Sequence, residues 1–144
     1  MANRTVLLDT SFIVALENRD DPCHNRAKEL DRKLLAEGAK ILSHWGVLLE
    51  IGDGYARLDR RSKGIDLLGK LNREQGYEIA PISDTLFAEG MRLYSARDDK
   101  DWGLTDCISF VLMGQRGIRE ALTADQHFVQ AGFKALLLES PVQE

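Results

Sequence analysis

The chain has 144 residues, enough for one domain with its own core, and 44% hydrophobic against 29% charged residues is a globular rather than a disordered balance. A net charge of −4 and a pI near 5.4 argue against holding nucleic acid by bulk electrostatics, while leaving open an approach to phosphate through bound metal ions. No apolar run approaches the roughly 20 residues that cross a bilayer, so no membrane association is expected.

"MANRTVLLD" enters an apolar stretch almost at once, leaving no room for a signal peptide. Cys23 and Cys107 form no CxxC pair. Both read as small buried hydrophobes with reduced thiols, which points to the cytoplasm.

In chain order, "TVLLD" (5–9) predicts a short strand, and residues 11–18 a short helix broken by "NRDDP". Residues 23–38 place Ala27, Leu30, Leu34 and Leu35 at helical spacing and stop at Gly38. "KILS" is a second strand. Residues 44–62 read as one helix despite three glycines, and "GIDLLGKLNREQG" as another. "YEIAPIS" alternates like a strand, and 84–97 is a helix that opens at a capping Asp84. Residues 104–117 form an apolar helix closed by Gly117. "REALTAD" and "KALLL" are the last two strands, with "QHFVQAG" a helical turn between them. No repeat or linker interrupts this order. Strands separated by helices predict a single α/β domain over residues 1–144, with a central, mostly parallel five-stranded sheet flanked by helices on both faces.

In such sheets ligands bind outside the carboxyl ends of the strands. Asp9 ends the first strand and Asp125 ends "REALTA", so both point at one edge. Taken singly, Asp9 is either a helix cap or a ligand. Asp106, after a capping Thr105, suits the positive end of its helix, and Asp125 can open a turn. Glu50 is harder to explain structurally. It lies in the apolar run "VLLEI" with nothing basic near it. Gly46 and Gly54 stand four residues to either side. They leave the carboxylate uncovered and permit another element to approach, or serve helix packing alone. Each glycine costs its helix roughly 1 kcal/mol relative to alanine.

If these acids converge, pairs within about 4 Å repel by roughly 4 kcal/mol at an effective dielectric near 20. A cation is then needed to keep them ionised. Oxygen donors without Cys or His spacing suit Mg²⁺ or Mn²⁺.

These residues resemble the PIN domains (the PilT N-terminus type), and in particular the short VapC-type ribonuclease toxins of toxin–antitoxin pairs. "VLLDTSFIVAL" is similar to the family's opening strand, and "VLLEIGDGYARL" to the helix that carries its glutamate. "DKDWGLTDCISFVLM" resembles its third motif and "ALTADQHFVQAGFKAL" its closing one, in the family's order. The resemblance implies a metal-dependent endoribonuclease that hydrolyses RNA phosphodiesters with Mg²⁺ (or Mn²⁺) held by Asp9, Glu50, Asp106 and Asp125. Ser11 and Thr105 match hydroxyl positions that would hydrogen-bond the acids or metal-bound water. It also implies a homodimer and a small antitoxin protein encoded separately. Some relatives carry a further acid two residues after the fourth. Here His127 stands there, which leaves the number of metals open. His127 itself reads as a turn histidine with a structural hydrogen bond, proton transfer being the alternative. Asp99 and Asp101 read as solvated loop acids, with help at the rim of the site as the alternative.

Arg57, Arg60, Arg61 and Lys63 form either a phosphate-contact patch or a solvated helix face. Trp45 and Trp102 read as core or interface packing rather than base-stacking platforms. Three other functions fit the pattern in part: a PIN nuclease in RNA processing outside a toxin pair, a non-catalytic RNA- or protein-binding scaffold, and an aspartyl phosphatase. All four acids are present, against the scaffold. Ser11 stands where the phosphatase would need a general acid.

Overall fold

The computed structural model describes residues 4–139. At its centre lies β1 (Thr5–Leu8). Val6, Leu7 and Leu8 are at most 1% exposed. This strand is covered on both faces, which is why its sequence is continuously apolar rather than alternating. Leu7 is in register with Leu42 of β2 (Lys40–His44) on one side and with Ala121 of β4 (Glu120–Leu122) on the other. Beyond them lie β3 (Tyr77–Ala80) and β5 (Lys134–Ala135), giving the order β3-β2-β1-β4-β5. Every pairing is parallel.

Chain direction across the sheet reverses after β3. With right-handed crossovers, that reversal puts the later helices on the opposite face. One face is covered by α1 (Thr10–Glu17), α2 (His24–Ala36), α3 (Trp45–Gly54) and α4 (Arg61–Arg73). The other carries α5 (Asp84–Ala96), α6 (Leu104–Arg116) and α7 (Gln126–Gln130). Alternation along each strand feeds two cores. Val6, Leu8, Ile41 and Leu122 join Phe12, Leu30, Val47 and Ile51. Leu7, Leu42 and Ala121 join Leu86, Ile108, Phe110 and Phe128. The reversal also creates a switch point between β1 and β4, and in sheets of this kind the ligand crevice lies outside the carboxyl ends at such a point.

The structure departs from the sequence reading at several element ends. The helix expected over 44–62 is shorter than read, and the one expected from Gly64 begins earlier, at Arg61. α3 ends at Gly54, and the chain turns through residues 55–60 before α4. Tyr55 is buried there, and Gly64 lets α4 close on it. A Cβ at Gly64 would stand 2.7 Å from the Tyr55 Cβ. Burial of one aromatic ring wins over continued helical hydrogen bonding. α5 is capped by Ser83, whose side chain accepts from the Leu86 amide at 3.1 Å, rather than by Asp84. α6 takes Gly103, not Thr105, at its N-cap. The last strand stops at Ala135 and continues as a 3₁₀ turn over Leu136–Leu138. Gly117, at φ 65°, closes α6 as expected. Among the described residues no helix is long and apolar enough to cross a membrane.

Candidate active site

Asp9 leaves β1 at the switch point and occupies the N-cap position of α1, yet its carboxylate makes no capping bond. Oδ2 instead accepts from the hydroxyls of Thr123, at 2.7 Å, and Ser11, at 3.0 Å. The residue is only 7% exposed. Burial pushes its carboxyl above the usual range and the charge of Asp106 adds to this, while the two hydroxyls oppose it. A buried carboxylate with two hydroxyl donors and no cation partner among the described residues is expensive to keep.

The other acids reach the same crevice through short links. The Thr10 hydroxyl, next to Asp9 in the chain, donates to Glu50 Oε1 at 2.8 Å across from α1 to α3. Burial also lifts the Glu50 carboxyl, and the charges of Asp9, Asp106 and Asp125 all push it the same way. Thr123 follows β4 and is fully buried. Its Oγ1 accepts from the Asp125 amide at 3.0 Å, and the Ala124 amide donates to Ser11 Oγ at 3.0 Å. This segment is thereby locked against the start of α1. Asp125 caps α7 by accepting from the His127 amide at 2.9 Å.

His127 Nδ1 stands 3.2 Å from Asp106 Oδ2 and 3.3 Å from Asp125 Oδ1. Asp106 Oδ2 also accepts from the Gly103 amide at 3.1 Å, so the acid that serves α6 as a cap faces the crevice as well. Donor atoms of Asp106, Asp125 and His127 all lie within 4.8 Å of one another. One network therefore runs from Glu50 through Thr10, Asp9, Thr123, Asp125 and His127 to Asp106.

Thr105 makes no hydrogen bond to these acids among the described residues. Its Cγ2 lies where a Cβ on Gly46 would come within 3.4 Å, so Gly46 does admit a neighbouring element. Gly54 faces open space and admits none. α3 is capped by His44, which is fully buried. Its Nδ1 accepts from the Gly46 amide at 3.0 Å, so Nε2 carries the proton and donates to Ser109 Oγ at 2.8 Å. That bridge ties the helix of Glu50 to the helix of Asp106.

The four basic residues have separate fates. Arg60 stacks over the Tyr55 ring at 4.6 Å and lines a cleft of about 390 Å³ together with Glu50, Thr10 and Glu17. Lys63 pairs with Glu17, Arg61 donates to the Ala56 carbonyl at 2.7 Å, and Arg57 lies 3.4 Å from Asp59. Asp99 is paired with Arg97 at 2.9 Å, and Asp101 lines a separate groove beside Trp102. Trp102 is a core residue that donates to Gln130 Oε1 at 2.9 Å, whereas Trp45 is 53% exposed. The sequence reading assigns no role to Thr10 or Thr123. The available signal was a β-branched polar residue at the end of an apolar strand and another immediately after Asp9.

A family model of the PIN domain matches residues 6–134. By sequence, the chain is 25% identical over 130 residues to the 23S rRNA-specific endonuclease VapC20 of Mycobacterium tuberculosis, covering 89% of this chain and 95% of that protein. The crystal structure of M. tuberculosis VapC20, a sarcin–ricin loop cleaving toxin, is similar to this fold with a TM-score of 0.78. Identity is 23%, over 89% of this chain and 95% of that one. FitAcB from Neisseria gonorrhoeae is similar with a TM-score of 0.62 at 20% identity, over 90% of this chain and 94% of that one.

Proposed function

The chain belongs to the PIN domain family, and from that premise we propose that it is a divalent-metal-dependent endoribonuclease of the VapC toxin type. The observation that supports this reading is the chain of short contacts near the switch point of the sheet, from Thr10 to Glu50, from Thr123 to Asp9 and the Asp125 amide, and from His127 to Asp106 and Asp125. The donor set fits a divalent cation. It consists of carboxylate oxygens with one imidazole nitrogen, and the carboxyls of Asp9 and Glu50 are lifted by burial, with the charge of Asp106 adding at Asp9 and those of Asp9, Asp106 and Asp125 at Glu50. Asp9, Glu50, Asp106 and Asp125 would hold the ion, which when bound would supply an acidified water for phosphodiester hydrolysis and charge to stabilise the leaving oxygen.

The protein's own groups do the rest. Thr123 and Ser11 hold the Asp9 carboxylate at a fixed angle, and Thr10 does the same for Glu50. Arg60, on the wall of the cleft that Glu50 shares, meets the RNA backbone. Arg57, Arg61 and Lys63, tied to local partners, contribute less. A net charge of −4 is compatible with RNA binding when phosphate reaches the protein through cation and arginine. Because VapC20 is named for 23S rRNA, ribosomal RNA is the first substrate to try. The same reading carries work in the cytoplasm, where ribosomes are, a homodimer, and a separately encoded small antitoxin that covers the site.

The test is cleavage of an RNA pool containing 23S rRNA and tRNA by the purified chain. It is run in Mg²⁺, in Mn²⁺ and in EDTA, beside an Asp9→Asn/Asp106→Asn double variant. Metal-dependent cuts missing from the variant are expected. A folded wild type that binds metal and cuts none of these RNAs, or cuts shared equally with the variant, would overturn the proposal.

A further inference from the structure

His127 is not needed to hold its own turn. α7 is capped by Asp125 through the His127 backbone amide, and that bond survives any change of the ring. The ring nevertheless sits between two carboxylates, with the same nitrogen, Nδ1, 3.2 Å from Asp106 Oδ2 and 3.3 Å from Asp125 Oδ1. A neutral imidazole has a single N–H, so one nitrogen cannot give both oxygens a well-directed hydrogen bond. The separations also match a different arrangement. Donors bound at about 2.1 Å to one ion, at right angles, lie roughly 3 Å apart. Among the described residues Asp106, Asp125 and His127 are the only group of three such side chains whose donor atoms converge this closely.

Resting on the metal-dependent reading above, we infer that His127 is a direct ligand of the bound ion, through Nδ1, and that it sets which ion this chain prefers. Imidazole favours transition metals, whereas carboxylate and water alone suit Mg²⁺. The order of affinities for a mixed nitrogen and oxygen site rises from Mn²⁺ through Co²⁺. Mg²⁺ gains least from a nitrogen donor, since it binds through oxygen and keeps much of its water. The chain is therefore a Mn²⁺- or Co²⁺-preferring member of its family, with Mg²⁺ the weaker occupant.

The experiment loads the full chain with Mn²⁺ and looks for ¹⁴N coupling to the ion by pulsed electron paramagnetic resonance. Wild type is compared with His127→Asp and His127→Ala. Calorimetric affinities for Mn²⁺, Co²⁺ and Mg²⁺ are measured on the same proteins. His127→Asp keeps a donor at the position and guards against simple misfolding of the alanine variant. The expected result is a ¹⁴N coupling in wild type that both variants lack. Loss of Mn²⁺ and Co²⁺ affinity in His127→Ala should be about 10-fold or more, with a smaller loss for Mg²⁺. Bound Mn²⁺ without a ¹⁴N coupling in wild type overturns this inference and leaves the carboxylate site standing. So does a coupling that persists in His127→Asp, since it would come from another nitrogen. A wild type that binds no Mn²⁺ removes the metal-dependent reading itself.

Discussion

His44 offers a pH experiment whose sign and size follow from its surroundings. It is fully buried, between the Gly46 amide and the Ser109 hydroxyl, and burial lowers its pKa from 6.5 to about 4. Between those two values the unfolded chain takes up a proton on this side chain that the folded chain refuses. The stability owed to neutral His44 is therefore complete above about pH 6.5 and is lost progressively as pH falls towards 4. From pH 7.5 to 4.5 this amounts to about 2.5 kcal/mol for a shift of that size. Denaturant unfolding of wild type and His44→Asn at the two pH values isolates the contribution, because every other titrating group is common to both. Asn retains an acceptor for the Gly46 amide at the cap but does not titrate. It gives up the bond to Ser109, so the variant is less stable at neutral pH by about 1–3 kcal/mol. The wild type should then lose about 2.5 kcal/mol more than the variant on acidification. Equal losses would refute the assignment of His44 as a neutral, buried bridge between α3 and α6.

Other expectations follow from the crevice. The Asp9 carboxyl is lifted in the fold, so its ionisation costs stability as pH rises above the usual aspartate range. Asp9→Asn should accordingly raise the melting temperature of the metal-free protein at pH 7.5 and abolish the further rise on adding Mn²⁺; a lower metal-free melting temperature would contradict this. Thr123→Val keeps shape but removes the 2.7 Å donor to Asp9 and the acceptor for the Asp125 amide. It should cost about 1–3 kcal/mol in denaturant unfolding and weaken metal binding by roughly 10–100-fold in calorimetry. Arg60→Ala should leave the metal affinity unchanged while lowering RNA affinity and reducing its salt slope by about one. An unchanged salt slope would remove Arg60 from the RNA path.

Much of the fold was legible because long, buried elements leave strong patterns. The continuous apolar run of β1 implies cover on both faces, and Asp9 after it implies a sheet edge with something to bind. Gly117 closes α6 where a left-handed residue is required. Element ends were less legible, since they depend on contacts distant in sequence. The break after α3 is set by Tyr55 docking against Gly64, and both residues are compatible with a helix when read locally. Ser83 and Asp84 are both good caps, and only the backbone path selects the first. In the candidate site the acids stood out as charges in apolar surroundings. Thr123 did not, because a threonine near a strand end is ordinary until its hydroxyl is seen to reach Asp9 across 114 positions of chain. Likewise, nothing in "LSHWG" announces that His44 reaches Ser109 on another helix.

The central claim is that carboxylates at the ends of β1 and β4 serve hydrolysis by a metal-activated water, and the fate of the RNA 2′-hydroxyl tests it most directly. An oligonucleotide spanning a mapped cleavage site is prepared with and without a 2′-O-methyl group on the scissile nucleotide. Both are incubated with the purified chain in Mn²⁺ or EDTA, beside Asp106→Asn. Attack by water needs no 2′-hydroxyl, so both substrates should be cut in Mn²⁺, without 2′,3′-cyclic phosphate ends, and neither in EDTA or by the variant. Cyclic phosphate ends on the unmodified RNA, with the methylated RNA left intact, would show the 2′-hydroxyl to be the nucleophile and contradict the account.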